Sequence, residues 1–367
     1  MLSERVRRID ASGIRRIFDL AATLEDPINL SIGQPDFDTP DPIKQAGIQA
    51  ILDGFTRYTV TQGIPELHQA IRRMLEATRG FEPEGLLVTS GTSGGIVLAL
   101  LATVDPGDEV IIPDPYFVIY KHAVSLCDGK AVFWDTYPDF RLRREALAPL
   151  LNDRTKVLIL NSPANPTGVV YTRDELTMVA ELLEGRDVLV LSDEIYDSYV
   201  YDGGFVSMAS LYSRTLLLGG FSKTYAMTGW RLGYAAGPGE IIRQMTKLQQ
   251  YTFVCAPSFS QKAGLTALQT DPTAHVAAYR RKHDLVYNGL VEAGYEVVRP
   301  EGAFYVFPRV PWGTDTEFVE EAIRRGLLII PGSAFSERNT HFRIAYSAPE
   351  ETLERGLAVL RDLAHAR

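Results

Sequence analysis

The sequence predicts an α/β protein with a large domain, built on a mainly parallel sheet between helices, and a smaller α+β domain. Three observations support this prediction. Continuous apolar runs of about four residues recur through the middle of the chain, as strands buried on both faces of a parallel sheet require. Segments with helical periodicity lie between these runs. The two chain ends lack this regular alternation.

The apolar runs and the periodic segments define the elements of the large domain. The predicted strands are residues 86–89, 109–112, 157–160, 188–191 and 215–218. Predicted helices include residues 66–78 and 94–104. A further helix begins after Thr172, because Thr172 and Glu175 have the spacing of a capping box and an apolar face follows.

The chain ends predict the smaller domain. Gly33, Pro35 and Pro40 break any long element near the N-terminus. From about residue 275 the pattern predicts, in order, a helix, strands near 295–298 and 304–307, a helix at 316–325, strand-like runs at 327–330 and 342–346, and a final helix capped by Ser347. We therefore predict a large domain at residues 46–274 and a small domain formed by 1–45 and 275–367.

Composition excludes several classes of function. The net charge of −9, without a local block of Lys and Arg, argues against nucleic-acid binding. The longest apolar stretch, 96–104, is too short to cross a membrane, and the N-terminus lacks the apolar core of a signal peptide. The six histidines show no metal-binding spacing. The two cysteines, Cys127 and Cys255, suggest no disulfide framework and favour a reducing cytoplasm.

Lys223 is the strongest candidate for a functional residue. It follows the apolar run 215–218 closely, where an ammonium group is costly to desolvate. Ser222 precedes it and Arg231 follows eight residues later. This is the layout needed for an amine that reacts beside a phosphate, and it fits pyridoxal phosphate held as a Schiff base.

Further polar groups follow the ends of other predicted strands, where ligands bind in open α/β sheets. The small residues at 90–95 suit a phosphate loop before a helix, although a tight turn explains them equally. Asn165 is either presented at the sheet edge or part of an Asx-Pro turn. Asp193 is either a helix cap or the partner of a protonated pyridine nitrogen, and Tyr196 lies about one helical turn beyond it.

Arg343 is the second strong candidate. It interrupts an otherwise apolar strand-like run, and its guanidinium group matches a carboxylate with two hydrogen bonds. The residues alone leave two readings open, a clamp for a substrate α-carboxylate and a salt bridge between domains.

The ensemble resembles fold-type I pyridoxal-phosphate enzymes, in particular the class I/II aminotransferases of the aspartate aminotransferase family. The resemblance runs from about Ser12 to the end. The motifs that carry it are residues 165–168, 192–196, Ser222-Lys223 with Arg231, 32–37, and 58–59 with 63–67. It implies a seven-stranded sheet of the type I fold.

The resemblance also implies roles for individual residues. Lys223 would carry the cofactor as a Schiff base and then shuttle a proton, with Asp193 at the pyridine nitrogen and Tyr196 at the ring oxygen O3′. The implied cofactor-binding residues are Gly91, Thr92, Ser93, Phe117, Asn165, Asp193, Tyr196, Ser222, Lys223, Arg231 and Tyr58. The implied substrate-binding residues are Gly33, Asn165 and Arg343. Tyr58 would reach the neighbouring subunit's phosphate, which implies a homodimer with shared sites.

The implied activity is a ping-pong aminotransferase that moves the amino group of an L-amino acid, of aspartate or aromatic type, to a 2-oxo acid such as 2-oxoglutarate. A pyridoxal-phosphate-dependent C–S or β-elimination lyase and a non-catalytic regulatory protein are the alternatives. Neutral Ser93, where some aspartate-specific relatives carry lysine, weakens an aspartate-only reading. Arg15 is either a second cation for a distal carboxylate or part of a solvated helix face. The aromatic residues that either line an aromatic-tolerant pocket or belong to the core are Phe117, Tyr251, Phe304, Tyr305 and Phe335.

Overall fold

The computed structural model describes residues 2–9 and 26–366. The α-helices of this part of the chain are α1 (Glu4–Arg7), α2 (Asp41–Leu52), α3 (Pro65–Arg79), α4 (Gly91–Thr103), α5 (Ile119–Leu126), α6 (Arg144–Leu147), α7 (Arg173–Leu183), α8 (Gly239–Thr252), α9 (Ser258–Ala267), α10 (Thr273–Glu292), α11 (Asp315–Arg324) and α12 (Glu350–Ala364). The strands are β1 (Ile28–Asn29), β2 (Gly85–Ser90), β3 (Glu109–Asp114), β4 (Lys130–Asp135), β5 (Thr155–Asn161), β6 (Leu189–Asp193), β7 (Thr215–Gly220), β8 (Leu232–Gly237), β9 (Tyr305–Val306), β10 (Leu327–Leu328), β11 (Ile330–Pro331) and β12 (Phe342–Ala345). None of the described helices has the length and apolar character needed to cross a membrane.

A seven-stranded sheet forms the centre of the molecule, in the order β2-β8-β7-β6-β5-β3-β4. Strands β7, β6, β5, β3 and β4 are parallel, and β8 pairs antiparallel with both β7 and β2. The predicted α/β fold with a mainly parallel sheet is therefore confirmed.

Cores on both faces of this sheet explain the continuous apolar runs. In β5, Leu158 and Leu160 belong to one hydrophobic cluster, whereas Val157 and Ile159 belong to another. Alternate side chains of one strand point to opposite faces, so a strand covered on both sides must be apolar throughout.

Two smaller sheets bring the chain ends together. Strand β1 pairs in parallel with β10, placing Ile28 beside Leu327. Strands β11, β12 and β9 form an antiparallel sheet in that order. The division into domains at residues 46 and 274 stays a prediction.

Two local predictions are wrong. Residues 295–298 form no strand, since the chain turns there after α10 and the Tyr295 N–H bonds back to the Leu290 carbonyl at 3.0 Å. Ser347 does not cap α12, whose N-cap is Pro349; its hydroxyl donates to the Ile32 carbonyl at 3.0 Å. The predicted capping box at Thr172 and Glu175 is present.

Candidate active site

A cavity of about 370 Å³ lies beside the carboxyl ends of β5, β6 and β7 and the first turn of α4. All the predicted site residues line it except Gly91 and Tyr58. The residues that line it are Ser31, Gly33, Thr92, Ser93, Ile96, Phe117, Val118, Tyr120, Asn161, Asn165, Asp193, Ile195, Tyr196, Ser222, Lys223, Thr228, Arg231, Tyr305 and Arg343. The structure thus brings together residues that are up to 312 positions apart in the sequence, as in the contact of Arg343 with Ser31.

Lys223 enters the cavity from the turn after β7. Its Nζ donates to the Gly33 carbonyl at 2.7 Å, and the Tyr199 hydroxyl donates to the Lys223 carbonyl at 3.0 Å. Desolvation in the cavity, followed by the positive charge of Arg343, lowers the pKa of Lys223 to about 8. An amine with this pKa is available as a nucleophile near neutral pH.

Asp193 ends strand β6 and is 3% exposed. Its Oδ2 accepts from the Tyr120 hydroxyl at 2.8 Å, and its Oδ1 accepts from the Ile195 N–H at 3.3 Å. Burial raises the pKa of Asp193 to about 6 despite these donors. A buried carboxylate of this kind is stabilised by a cationic ligand group, such as a protonated pyridine nitrogen.

The first turn of α4 forms the anion-binding end of the cavity. This helix begins at Gly91, directly after β2, so the small residues predicted as a loop are its first turn. Gly91 has a φ of 70°, and a Cβ atom there would lie 2.4 Å from Arg231 Nη2. The free N–H groups of a first turn, together with a cation, attract phosphate. Gly91 therefore lies behind the cavity wall and permits the close approach of Arg231.

Arg343, on β12, is buried with 2% exposure. Its Nη1 donates to Asn165 Oδ1 at 3.1 Å, its Nη2 donates to the Ser31 carbonyl at 2.7 Å, and its Nε has no hydrogen-bond partner. The guanidinium group lies between the rings of Tyr305 and Phe335, 4.7 and 4.4 Å from their centroids. These contacts are neutral, so they favour the reading of Arg343 as a ligand-carboxylate site over that of an ion pair between domains.

Among the polar groups of the cavity that sequence reasoning missed, three contact other residues of the site. The Tyr120 hydroxyl donates to the Asp193 carboxylate. Tyr120 follows Phe117, a predicted site residue, by three positions, and this spacing was the sequence feature that could have identified it. The Asn161 side chain ties β5 to β6, since its Nδ2 donates to the Asp193 carbonyl at 3.0 Å and its Oδ1 accepts from the Asn165 N–H at 2.8 Å. Ser31 contributes a backbone carbonyl, which no side-chain pattern reveals.

The remaining predictions fall in different places. Among the proposed aromatic wall residues, Phe117 and Tyr305 line the cavity, whereas Phe304 and Phe335 are fully buried and Tyr251 is 81% exposed. Tyr58 is 83% exposed. Arg15 lies outside the described residues.

The donor set of the cavity fits pyridoxal 5′-phosphate. Lys223, Arg231 and Arg343 face a single carboxylate, Asp193, so the cavity favours anionic ligands. The unpartnered Arg343 Nε calls for an acceptor from a ligand, and the Gly91 turn brings a second arginine to a helix N-terminus. A phosphate and a carboxylate satisfy both ends of this cavity.

Comparison with known proteins agrees with this geometry. The sequence profile of the family "Aminotransferase class I and II" matches residues 25–360. A probable aspartate aminotransferase of Methanocaldococcus jannaschii is 38% identical and covers 99% of this chain and 100% of its own length. Aromatic-amino-acid aminotransferase 2 of Thermococcus litoralis is 37% identical over 97% of this chain and 96% of that protein. The solved structure of aspartate aminotransferase from Thermus thermophilus with maleate superposes with a TM-score of 0.95 at 35% identity and covers 99% of both chains.

Proposed function

The chain belongs to the class I and II aminotransferases, and on that premise we propose how its own residues perform the reaction. It is a pyridoxal-phosphate-dependent aminotransferase that moves the amino group of an L-amino acid to a 2-oxo acid. The names of its relatives indicate amino acids of the aspartate or aromatic type. The single observation that carries the assignment of the site is the convergence of Lys223, Asp193, Arg231 and Arg343 on one cavity.

Lys223 is the proposed Schiff-base residue. When bound, the cofactor supplies an aldehyde carbon that condenses with amines and a ring that withdraws electrons from the substrate Cα. The lowered pKa of Lys223, about 8, leaves a fraction of its amine uncharged near neutral pH. After the substrate amine takes its place, the free Nζ would accept the Cα proton and later return it.

The other side chains divide into those that hold the phosphate and those that hold the ring. Arg231, Ser222 and the first-turn N–H groups of α4 at Thr92 and Ser93 would bind the phosphate, with Gly91 permitting the approach of Arg231. The residues proposed to hold the ring are Phe117 against its face, Asp193 at its nitrogen, and Tyr196 and Asn165 at its hydroxyl oxygen. Tyr120 would keep the Asp193 carboxylate in place through its 2.8 Å hydrogen bond.

Substrate orientation is assigned to Arg343, with Asn165 and Gly33 beside it. The unpartnered Nε and the neutral contacts of both terminal nitrogens leave the charge of Arg343 available to an α-carboxylate. When the carboxylate is held in place, the Cα–H bond has a fixed direction relative to Lys223. This fixed geometry would increase the rate of proton transfer.

Two finer assignments concern the surroundings of the enzyme. We propose a homodimer in which Tyr58 reaches the partner's phosphate site, as the family resemblance implies. Tyr58, Leu52 and Tyr251 are exposed by 83, 74 and 81% and are therefore available for contacts with a partner. We propose a cytoplasmic location because both cysteines are free thiols.

A half-reaction screen with covalent trapping tests the proposal. The protein loaded with cofactor is mixed with one amino acid at a time, and we expect aspartate, an aromatic amino acid or both to change the visible absorbance and yield equimolar 2-oxo acid. Borohydride reduction before substrate addition should attach the cofactor to the peptide that contains Lys223. Lys223→Ala should lose both signals, whereas Lys130→Ala, at a side chain 65% exposed, should keep them.

Two results would contradict the proposal. One is trapping at another lysine. The other is release of ammonia and pyruvate without the aminated cofactor, which is the signature of an elimination lyase.

A further inference from the structure

Tyr305 lies where three groups of the active site meet. The residue begins β9 and is 1% exposed. Its hydroxyl oxygen is 2.8 Å from the Tyr196 hydroxyl oxygen and 3.4 Å from the Gly33 carbonyl oxygen. Its ring lies against Arg343, 4.7 Å from the guanidinium carbon. A single side chain therefore contacts a cofactor-binding residue, a substrate-binding residue and the carbonyl that accepts from Lys223.

The direction of the hydrogen bond between the two phenols follows from counting protons. Each phenol has one proton to donate. In the loaded enzyme, Tyr196 is assigned to donate to the ring oxygen, a charge-assisted bond that is stronger than one to a neutral phenol. Tyr305 must then be the donor within the pair, and its distance of 2.8 Å to Tyr196 is shorter than its distance of 3.4 Å to Gly33.

The close approach of Tyr305 depends on glycine at position 33. A Cβ atom on Gly33 would lie 2.4 Å from the Tyr305 hydroxyl oxygen, closer than van der Waals contact allows. Any side chain there would displace the phenol. The absence of a side chain at Gly33 thus leaves room for the Tyr305 hydroxyl between the Gly33 backbone and Tyr196.

We propose that Tyr305 is a positioning residue that donates its proton to Tyr196, so that the Tyr196 proton is directed into the cavity toward the cofactor's ring oxygen. This inference rests on the proposed function and adds a residue that acts through Tyr196 rather than on the cofactor. A phenol that accepts a hydrogen bond is a stronger donor, since linked hydrogen bonds polarise one another. The hydroxyl of Tyr305 is hydrogen-bonded to Tyr196, and its ring packs against the guanidinium group of Arg343.

A pH titration of the visible absorbance of the loaded enzyme separates this role from a merely structural one. A hydrogen-bond donor at the ring oxygen stabilises the deprotonated form of the bound cofactor. A weaker hydrogen bond from Tyr196 therefore raises the pH at the midpoint of the titration. The charged groups that face the two phenols are Arg343, Asp193 and Lys223, whose Nζ lies 5.8 Å from the centroid of the Tyr196 ring, and all three are retained in the variants. Tyr196→Phe should raise the midpoint most. Tyr305→Phe should raise it by roughly 0.4 to 1.1 pH unit, the equivalent of one neutral hydrogen bond.

The double variant decides whether Tyr305 acts through Tyr196. In the Tyr196→Phe background, Tyr305→Phe should cause almost no further shift, because the acceptor of its proton is gone. Tyr295→Phe is the matched control, since it removes a buried hydroxyl that donates to the Leu360 carbonyl at 2.8 Å. Its midpoint should equal that of the parent enzyme.

The ring and the hydroxyl of Tyr305 are separable by kinetics. Tyr305→Phe keeps the ring against Arg343 and should leave KM for the amino acid within about twofold. Tyr305→Leu removes the ring and should raise KM by about 30-fold, which is what an interaction of a cation with a buried aromatic ring contributes. Gly33→Ala provides a second perturbation of the hydroxyl if Tyr305→Phe folds poorly, and its midpoint should also rise.

The outcomes distinguish failure of this inference from failure of the proposed function. If Tyr196→Phe moves the midpoint and Tyr305→Phe does not, the role of Tyr305 is refuted and the proposed function stands. Equal, additive shifts from the two single variants refute the relay through Tyr196. If Tyr196→Phe leaves the midpoint unchanged, both this inference and the role proposed for Tyr196 are overturned.

Discussion

Replacing Arg343 tests the substrate assignment most directly. In Arg343→Met, the α-carboxylate loses two charge-assisted hydrogen bonds, each of which contributes about 1.5–3 kcal/mol. Their combined loss of about 3–6 kcal/mol corresponds to a fall in kcat/KM of roughly 10² to 10⁴-fold. Arg343→Lys keeps the charge but not the paired geometry, and we expect an intermediate fall of about 10 to 100-fold.

The stability of Arg343→Met should change much less than its activity. The substitution leaves Asn165 Oδ1 and the Ser31 carbonyl without a donor, which destabilises the fold. It also removes a buried cation whose pKa burial lowers and whose Nε has no partner, which stabilises the fold. Because these contributions oppose each other, thermal unfolding of the variant without cofactor should resemble that of the parent protein.

The assay compares substrates with and without the carboxylate. Single-turnover rates are measured for tyrosine and for tyramine, the same amine without its carboxylate. The parent enzyme should strongly prefer tyrosine, and Arg343→Met should lose most of that preference while reacting with tyramine at nearly the parent rate. Arg309→Met is the control, because Arg309 is 55% exposed and pairs with Glu296 outside the cavity.

One result would refute the reasoning. If Arg343→Met slows both amines equally and keeps the parent's preference for tyrosine, then Arg343 does not bind the carboxylate, and its effect is a general one on the fold of the site.

Three further substitutions test other parts of the site. Gly91→Ala should weaken cofactor binding at least tenfold in a fluorescence titration, because the residue has a φ of 70° and the new Cβ would lie 2.4 Å from Arg231 Nη2; unchanged affinity would argue against this anion site. Lys223→Met should stabilise the cofactor-free protein by about 2 kcal/mol at pH 7 in denaturant unfolding. The folded-state pKa of Lys223, about 8, is below its usual 10.5, so the parent protein regains stability as pH rises from 8 to 10.5. The difference in unfolding free energy between Lys223→Met and the parent should therefore vanish above pH 10.5. A difference that does not depend on pH would contradict the lowered pKa of Lys223. Tyr58→Phe should raise the cofactor dissociation constant about fivefold if Tyr58 donates one hydrogen bond to the partner's phosphate, and an unchanged constant in a confirmed dimer would refute that contact.

The parts of the fold that were predictable are those specified by local patterns. The capping box of Thr172 and Glu175 needs only three residues of spacing, and buried parallel strands must be apolar on both faces. Two strands of the seven-stranded sheet, β4 and β8, escaped prediction. β4 does carry an apolar run, residues 131–134, at the edge of the sheet, whereas β8 is rich in small residues.

Close packing explains why β8 is made of small residues. A Cβ atom on Gly237 would lie 2.5 Å from the Thr215 carbonyl oxygen, and one on Gly233 would lie 2.7 Å from the Thr92 nitrogen. The false strand at 295–298 shows the converse error. Gly294, with a φ of 86°, ends α10 in a left-handed turn, and the apolar residues after it pack against the core without a partner strand.

The predictable part of the site is the part placed at strand ends. Lys223, Asp193 and Asn165 each follow a buried strand, and parallel strands bring their carboxyl ends to one edge of the sheet. Tyr120 and Tyr305 come instead from a helix and from another sheet. Their hydroxyl partners are set by packing between distant segments, so a pattern of neighbouring residues does not reveal them.

The charges of the cavity connect ligand binding to the assembly of the chain ends. Arg343 comes from the C-terminal part of the chain, and its Nη2 is held by the Ser31 carbonyl from the N-terminal part. With three cations facing one carboxylate, the cavity is less favourable empty than when it holds a phosphate and a carboxylate. Any ligand that binds the folded site and not the unfolded chain stabilises the fold. Anionic ligands at Arg231 and Arg343 therefore stabilise the contact between the two ends, and the same contact places Gly33 beside Lys223.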